Sequence, residues 1–167
     1  MKRTLSLLTL CMLFVGFAAF AADKVETPES CKYCGMDRTK FSQSRMLVEY
    51  DDGTMTGTCS LHCMAVELAN NIDKMPKAIK VADYDGKELI DAEKAVWVIG
   101  GSKPGVMTMN PKWAFGSQDK AMEFVKANGG NISTFEESIK SAYEDMYNDT
   151  KMIRDKRMKM KKNRSLQ

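Results

Sequence analysis

The chain has one long apolar run and no other, a single histidine, and no cysteine beyond Cys63. The run "LSLLTLCMLFVGFAAF" follows Lys2 and Arg3 and is too short for a comfortable membrane span. It ends in "AFAAD", where Ala19 and Ala21 fit the small-x-small pattern of a cleavage site. Residues 1–21 are therefore predicted to be a signal peptide cut after Ala21, giving an exported, periplasmic chain. Leu10 stands where a lipoprotein needs a small residue before Cys11, so Cys11 is assigned to the discarded signal. With no second apolar run, no stable membrane anchor is expected.

The body also lacks a basic surplus. Residues 22–150 hold 15 basic and 21 acidic residues, whereas residues 151–167 hold 8 basic residues and one acid. The formal net charge of +3 thus combines an acidic body with a cationic tail. That distribution excludes a nucleic-acid-binding signature and leaves the tail as a solvated helix end or a contact for an acidic partner or anionic lipid.

Against these shortages stand four cysteines in the mature chain, Cys31, Cys34, Cys59 and Cys63, and 12 methionines once Met1 and Met12 are set aside. A polar linker over 22–30 leads into the first cysteine pair. "SRMLVEYDDGTMTGT" predicts a hairpin turning at Asp52-Gly53. "SLHCMAVELANNID" predicts a helix whose stripe is Leu61, Met64, Ala65 and Leu68, with Ser60 or Thr58 as N-cap. A strand over "KAIKVADYDG" completes a ββαβ lobe spanning 31–86.

The plan then repeats over 87–133. "AVWVIGG" and "VMTMNPKWAF" supply extended segments, and "GSQDKAMEFVKANGG" is a helix capped by Ser117 and stopped at Gly129-Gly130. Cys59-Ser60 opens the first helix where Gly116-Ser117 opens the second. Residues 134–167 predict a long C-terminal helix and basic tail, with a capping box from Ser133 to Glu136. Its docking stripe is Phe135, Ile139, Tyr143 and Met146, and its last ten or so residues are expected to fray. The fold class is α+β: two similar ββαβ lobes followed by a long helix.

Three chemistries suit the cysteines. Cys31-x2-Cys34 with Cys59-x3-Cys63 approaches the spacing of a closed four-thiolate Zn(II) site, and the second pair shares one helix face. A thiol–disulfide oxidoreductase needs its Cys-x-x-Cys at a helix start, but Gly35 follows Cys34 and no apolar helix comes next. Cu(I) is soft and favours thiolate and thioether sulfur, often with one imidazole. Met36 lies two residues after Cys34, His62 sits between Cys59 and Cys63, and Met107-Thr108-Met109 occupies the cysteine-free lobe. In the Cu(I) reading Cys31 and Cys34 anchor the metal, Met36 with Met107 or Met109 are labile arms, and Cys59, His62 and Cys63 either complete the site or, for the cysteine pair, form a second one. Met152, Met158 and Met160 stand among lysines and arginines and are assigned to helix surface or partner contact.

"CKYCGM", "GTCSLHCM" and "PGVMTMNPKWAF" ahead of "FVKANGG" resemble the NosL-type family, accessory proteins of nitrous oxide reductase. The resemblance spans nearly all of the mature chain. It implies a two-lobed ββαβ repeat and a non-enzymatic Cu(I) chaperone outside the cytoplasm. It further implies a cuproenzyme client such as nitrous oxide reductase and a membrane transporter complex as partners. The family's cysteine motif maps to Cys31, Cys34 and Met36, and its second-lobe methionine maps to Met107. The pair Cys59 and Cys63 and the basic Met-bearing tail depart from the family pattern.

Overall fold

The computed structural model describes residues 25–165. The expected signal peptide and its cleavage site lie outside the described residues. No described helix is long and apolar enough to cross a membrane.

β1 (Met46–Tyr50) and β2 (Met55–Thr58) form the predicted hairpin, Met46 opposite Thr58 and Glu49 opposite Met55. Asp52 closes its turn by accepting from Thr54 N–H at 2.8 Å, and Gly53 takes φ +81°, which a side chain would resist. Alternation along β1 turns Met46, Val48 and Tyr50 into the core. α1 (Leu61–Asn70) follows, with Ser60 as N-cap. β3 (Pro76–Ala82) returns to the free edge of β1, and β4 (Leu89–Asp91) pairs with β3 in turn. The antiparallel sheet therefore runs β2-β1-β3-β4.

The second sheet repeats this order with three strands. β5 (Val96–Ile99) is central, β6 (Lys112–Phe115) is its hairpin partner, and β7 (Asn131–Ser133) adds to the other edge after α2 (Gln118–Asn128). Ser117 caps α2 by accepting from Lys120 N–H at 3.4 Å.

Two cores result. One gathers Met46, Val48, Met64, Val81, Trp97 and Ala142, so both sheets, α1 and the last helix contribute. Full burial of each large side chain there stabilises the fold by about 1.5–3 kcal/mol. The other packs Cys31, Cys59 and Cys63 against Val98, Val106, Trp113 and Phe115. Tyr84 reaches from the first lobe into that core, its ring 5.0 Å from Trp113 and 4.9 Å from Phe124.

Asp83 joins the sheets directly. One carboxylate oxygen accepts from Asp85 and Gly86 N–H, and the other accepts from Gly116 N–H at 2.7 Å. Tyr84 N–H donates to Ala114 O at 2.8 Å beside it.

α3 (Phe135–Arg164) begins with a capping box, but on Thr134 and Glu137, one residue later than predicted. Ser133 is the last residue of β7 and pairs with Trp97, so its backbone belongs to the sheet. The docking stripe is Phe135, Ile139, Ala142 and Met146, ending on buried Asp149; Tyr143 is 43% exposed. The helix runs to Arg164, where Lys161, Lys162 and Arg164 complement the negative end of the helix dipole.

Candidate metal centre

Residues 30–37 fold into a tight knuckle. Cys31 N–H donates to Met36 O at 2.8 Å, and Gly35 N–H donates to Cys31 O at 2.9 Å. Gly35 adopts φ +73°, a left-handed turn conformation that glycine enters without strain. Arg38 anchors the knuckle from behind. Fully buried, its guanidinium donates to the carbonyls of Glu26, Pro28, Met46 and Thr58 and to the Glu26 carboxylate.

α1 supplies the opposite wall. Cys59, Cys63 and Glu67 follow at intervals of four and so line one helix face. Glu67, fully buried, accepts from Tyr33 Oη at 2.6 Å, Lys32 Nζ at 3.0 Å, Tyr50 Oη at 3.0 Å and Asn71 Nδ2 at 3.0 Å. Burial pushes its carboxyl up, but these donors outweigh that and hold it below the usual range. Glu67 thereby ties the Lys32-Tyr33 segment to the helix that carries Cys59 and Cys63.

The four sulfurs meet where knuckle and helix face each other. All lie within 4.8 Å of one another, with Cys34 Sγ 3.4 Å from Cys59 Sγ and Cys59 Sγ 3.8 Å from Cys63 Sγ. Two ligands about 2.3 Å from one ion are separated by at most about 4.6 Å, so the cluster needs little adjustment to close on a single metal. All four are free thiols; Cys31, Cys59 and Cys63 are buried and Cys34 is half-buried. Hydrogen bonds from Cys34, Cys59 and Cys63 drive Cys31 strongly down. Cys34 is lowered as well: its bond with Cys31 opposes this, but those from Cys59 and Cys63 prevail. Cys59 and Cys63 are held up, first by their bonds to Cys31 and then by burial.

Cys34 opens onto a chamber of about 450 Å³. Met36, Phe41 and Met107 line it from the body, and Met152, Lys156, Arg157 and Met160 line it from α3. Met107 stands at φ +63°, the left-handed region that an unbranched side chain enters only at a cost.

The structure does not bring the whole expected set together. His62 points to α3, its Nδ1 3.3 Å from Asp149 Oδ2, and burial lowers its pKa against the pull of that carboxylate. At three residues past Cys59 it sits about 100° from Cys63 around the helix. Met109 is 71% exposed, and only its backbone is engaged, donating to Asp149 Oδ1 at 3.0 Å. Met152 and Met160, assigned from the sequence to surface or partner contact, share the chamber with Cys34. Their spacing of eight residues held a signal, since it keeps both on one helical face.

A family model described as NosL matches residues 22–143. The chain belongs to the NosL family. The NosL match covers both lobes and the cysteine cluster, and it ends within α3, before Asp149, Met152 and Met160. Among solved structures, the crystal structure of the copper chaperone NosL from Shewanella denitrificans is similar. It shows a TM-score of 0.54 at 21% identity, over 70% of this chain and 93% of that one. At that identity the likeness establishes a shared NosL fold. A search of curated proteins gives no match.

Proposed function

We propose that this NosL protein is a Cu(I) metallochaperone that acts in the periplasm and delivers copper to a cuproenzyme, with no catalysis of its own. One observation carries the reading: a compact four-sulfur cluster has a single half-buried member, and that member opens into a chamber lined by thioethers. Thiolate and thioether sulfur suit cuprous ion. The name of the similar solved structure supports copper as cargo.

Cys31, Cys34, Cys59 and Cys63 hold the ion, each sulfur that binds giving up its proton. Met36 and Met107 flank Cys34 as weaker, neutral donors. Transfer is ligand exchange: an incoming donor enters beside Cys34, a thioether yields first, and thiolates then release and recover their protons. Copper remains Cu(I) throughout, so no electron is exchanged. Nitrous oxide reductase is the client proposed, with a membrane transporter complex as a further partner, on the strength of the family alone.

A structural Zn(II) site draws on the same four sulfurs, whose spacing fits a tetrahedral ion. It leaves the thioether chamber without a role. Anaerobic titration of the reduced protein with Cu(I) against bathocuproine disulfonate, and with Zn(II) against a chromophoric chelator, separates the two. Tight Cu(I) binding with thiolate-to-copper absorption is expected; preferential 1:1 Zn(II) binding overturns the proposal.

A further inference from the structure

We infer that the C-terminal part of α3 forms a second soft-metal station, in which Met152 and Met160 take Cu(I) jointly with the Cys34 thiolate. The inference rests on the Cu(I) reading above and adds residues beyond the NosL match, which ends at residue 143.

Three features carry it. First, the helix is aimed at the chamber: Asp149 is buried and fixed by His62 and by Met109 N–H, and Met152 follows one turn later. Second, Met152, Lys156 and Met160 are spaced by four residues and drift only about 80° around the axis, so they present one face. That face lines the chamber into which Cys34, Met36 and Met107 already project. Met152 is half-buried against the chamber, and Met160, which also lines it, is 58% exposed and so within reach of an incoming donor.

Third, charge selects the species. Lys156 and Arg157 also line the chamber. They repel a bare cuprous ion held by neutral thioethers alone. Cu(I) on the Cys34 thiolate is neutral, and on two thiolates it is an anion, which the same pair favours. The station therefore accepts Cu(I) only while at least one thiolate remains bound, and it spreads departure from the cluster over two smaller steps.

The test uses the full mature protein with 13C-methyl-labelled methionine, loaded anaerobically with Cu(I), and assigned with the single variants M152L and M160L. The Met152 and Met160 methyl signals are expected to move on loading. In the M152L/M160L double variant, copper stoichiometry and helix content hold, while Cu(I) release to bathocuproine disulfonate slows by about tenfold. Methyl signals that keep their metal-free positions, or a release rate that is unchanged or raised, overturn the inference and leave the four-thiolate site standing. Absence of thiolate-to-copper absorption in the unaltered protein overturns both.

Discussion

Cys34 Sγ and Cys59 Sγ lie 3.4 Å apart although 25 residues separate them in the chain. The contact joins the knuckle to the residue just before the N-cap of α1, and each side is held by its own buried charged residue. Arg38 fixes the knuckle from behind, and Glu67 binds its tip to the helix.

Among the four described cysteines, Cys34 alone is not fully buried, and its bonds with Cys59 and Cys63 lower its pKa. Iodoacetamide at neutral pH is expected to label Cys34 ahead of the buried Cys31, Cys59 and Cys63. Peptide mass spectrometry reads the order, and prior loading with Cu(I) should suppress the labelling. Even labelling of all four in the folded protein contradicts the assignment.

Glu67→Gln leaves fewer acceptor positions for the donors Lys32, Tyr33, Tyr50 and Asn71. A loss of about 1–3 kcal/mol is expected from the buried hydroxyl left unpaired. The native Glu67 pKa is below its unfolded value, so its stabilisation is complete at neutral pH and is lost as pH falls through and below the ordinary carboxylate range. Urea midpoints between pH 7 and pH 3 should therefore fall more steeply for the parent protein than for the Gln variant.

Met107 separates affinity from stability. Met107→Leu keeps volume and backbone but removes sulfur. Met107→Gly relieves the left-handed backbone, worth about 1–2 kcal/mol, and gives up side-chain contact of similar size. Both variants are expected to stay within about 1 kcal/mol of the parent by thermal unfolding while Cu(I) affinity drops about tenfold, or 1.4 kcal/mol. Unchanged affinity in both removes Met107 from the ligands.

Gly57 has no room for a methyl group. An added Cβ would lie 2.5 Å from Arg38 Nη1, and the hydrogen bonds of that guanidinium keep it from moving aside. Gly57→Ala should cost about 1–3 kcal/mol of stability, measured by chemical denaturation. A neutral substitution would mean that Arg38 is far less constrained.

His62→Gln tests whether the imidazole serves the metal or the helix. Engaged with Asp149, it should leave Cu(I) affinity unchanged in chelator competition and lower stability by about 1 kcal/mol. A tenfold loss of Cu(I) affinity instead makes His62 a ligand.

Much of this was legible in the sequence because it is local. Asp52-Gly53 marked the first hairpin, Ser117 the start of α2, and the two cysteine pairs the cluster. What stayed hidden depends on distant partners. Ser133 resembles an N-cap until β7 claims its backbone, so the box falls on Thr134. The direction of His62 is decided by Asp149, 87 residues away. Met152 and Met160 are masked by the surrounding lysines and arginines; only the path of α3 past Cys34 reveals the chamber they line.

Asp83 divides one carboxylate between its own turn and the start of the segment leading into α2. Opening the halves like jaws would strip a buried carboxylate of its Gly116 partner and pull Tyr84 from between Trp113 and Phe124. The two sheets are therefore clasped to each other, and the chamber beside Cys34 lies not between them but between that joined body and the far half of α3.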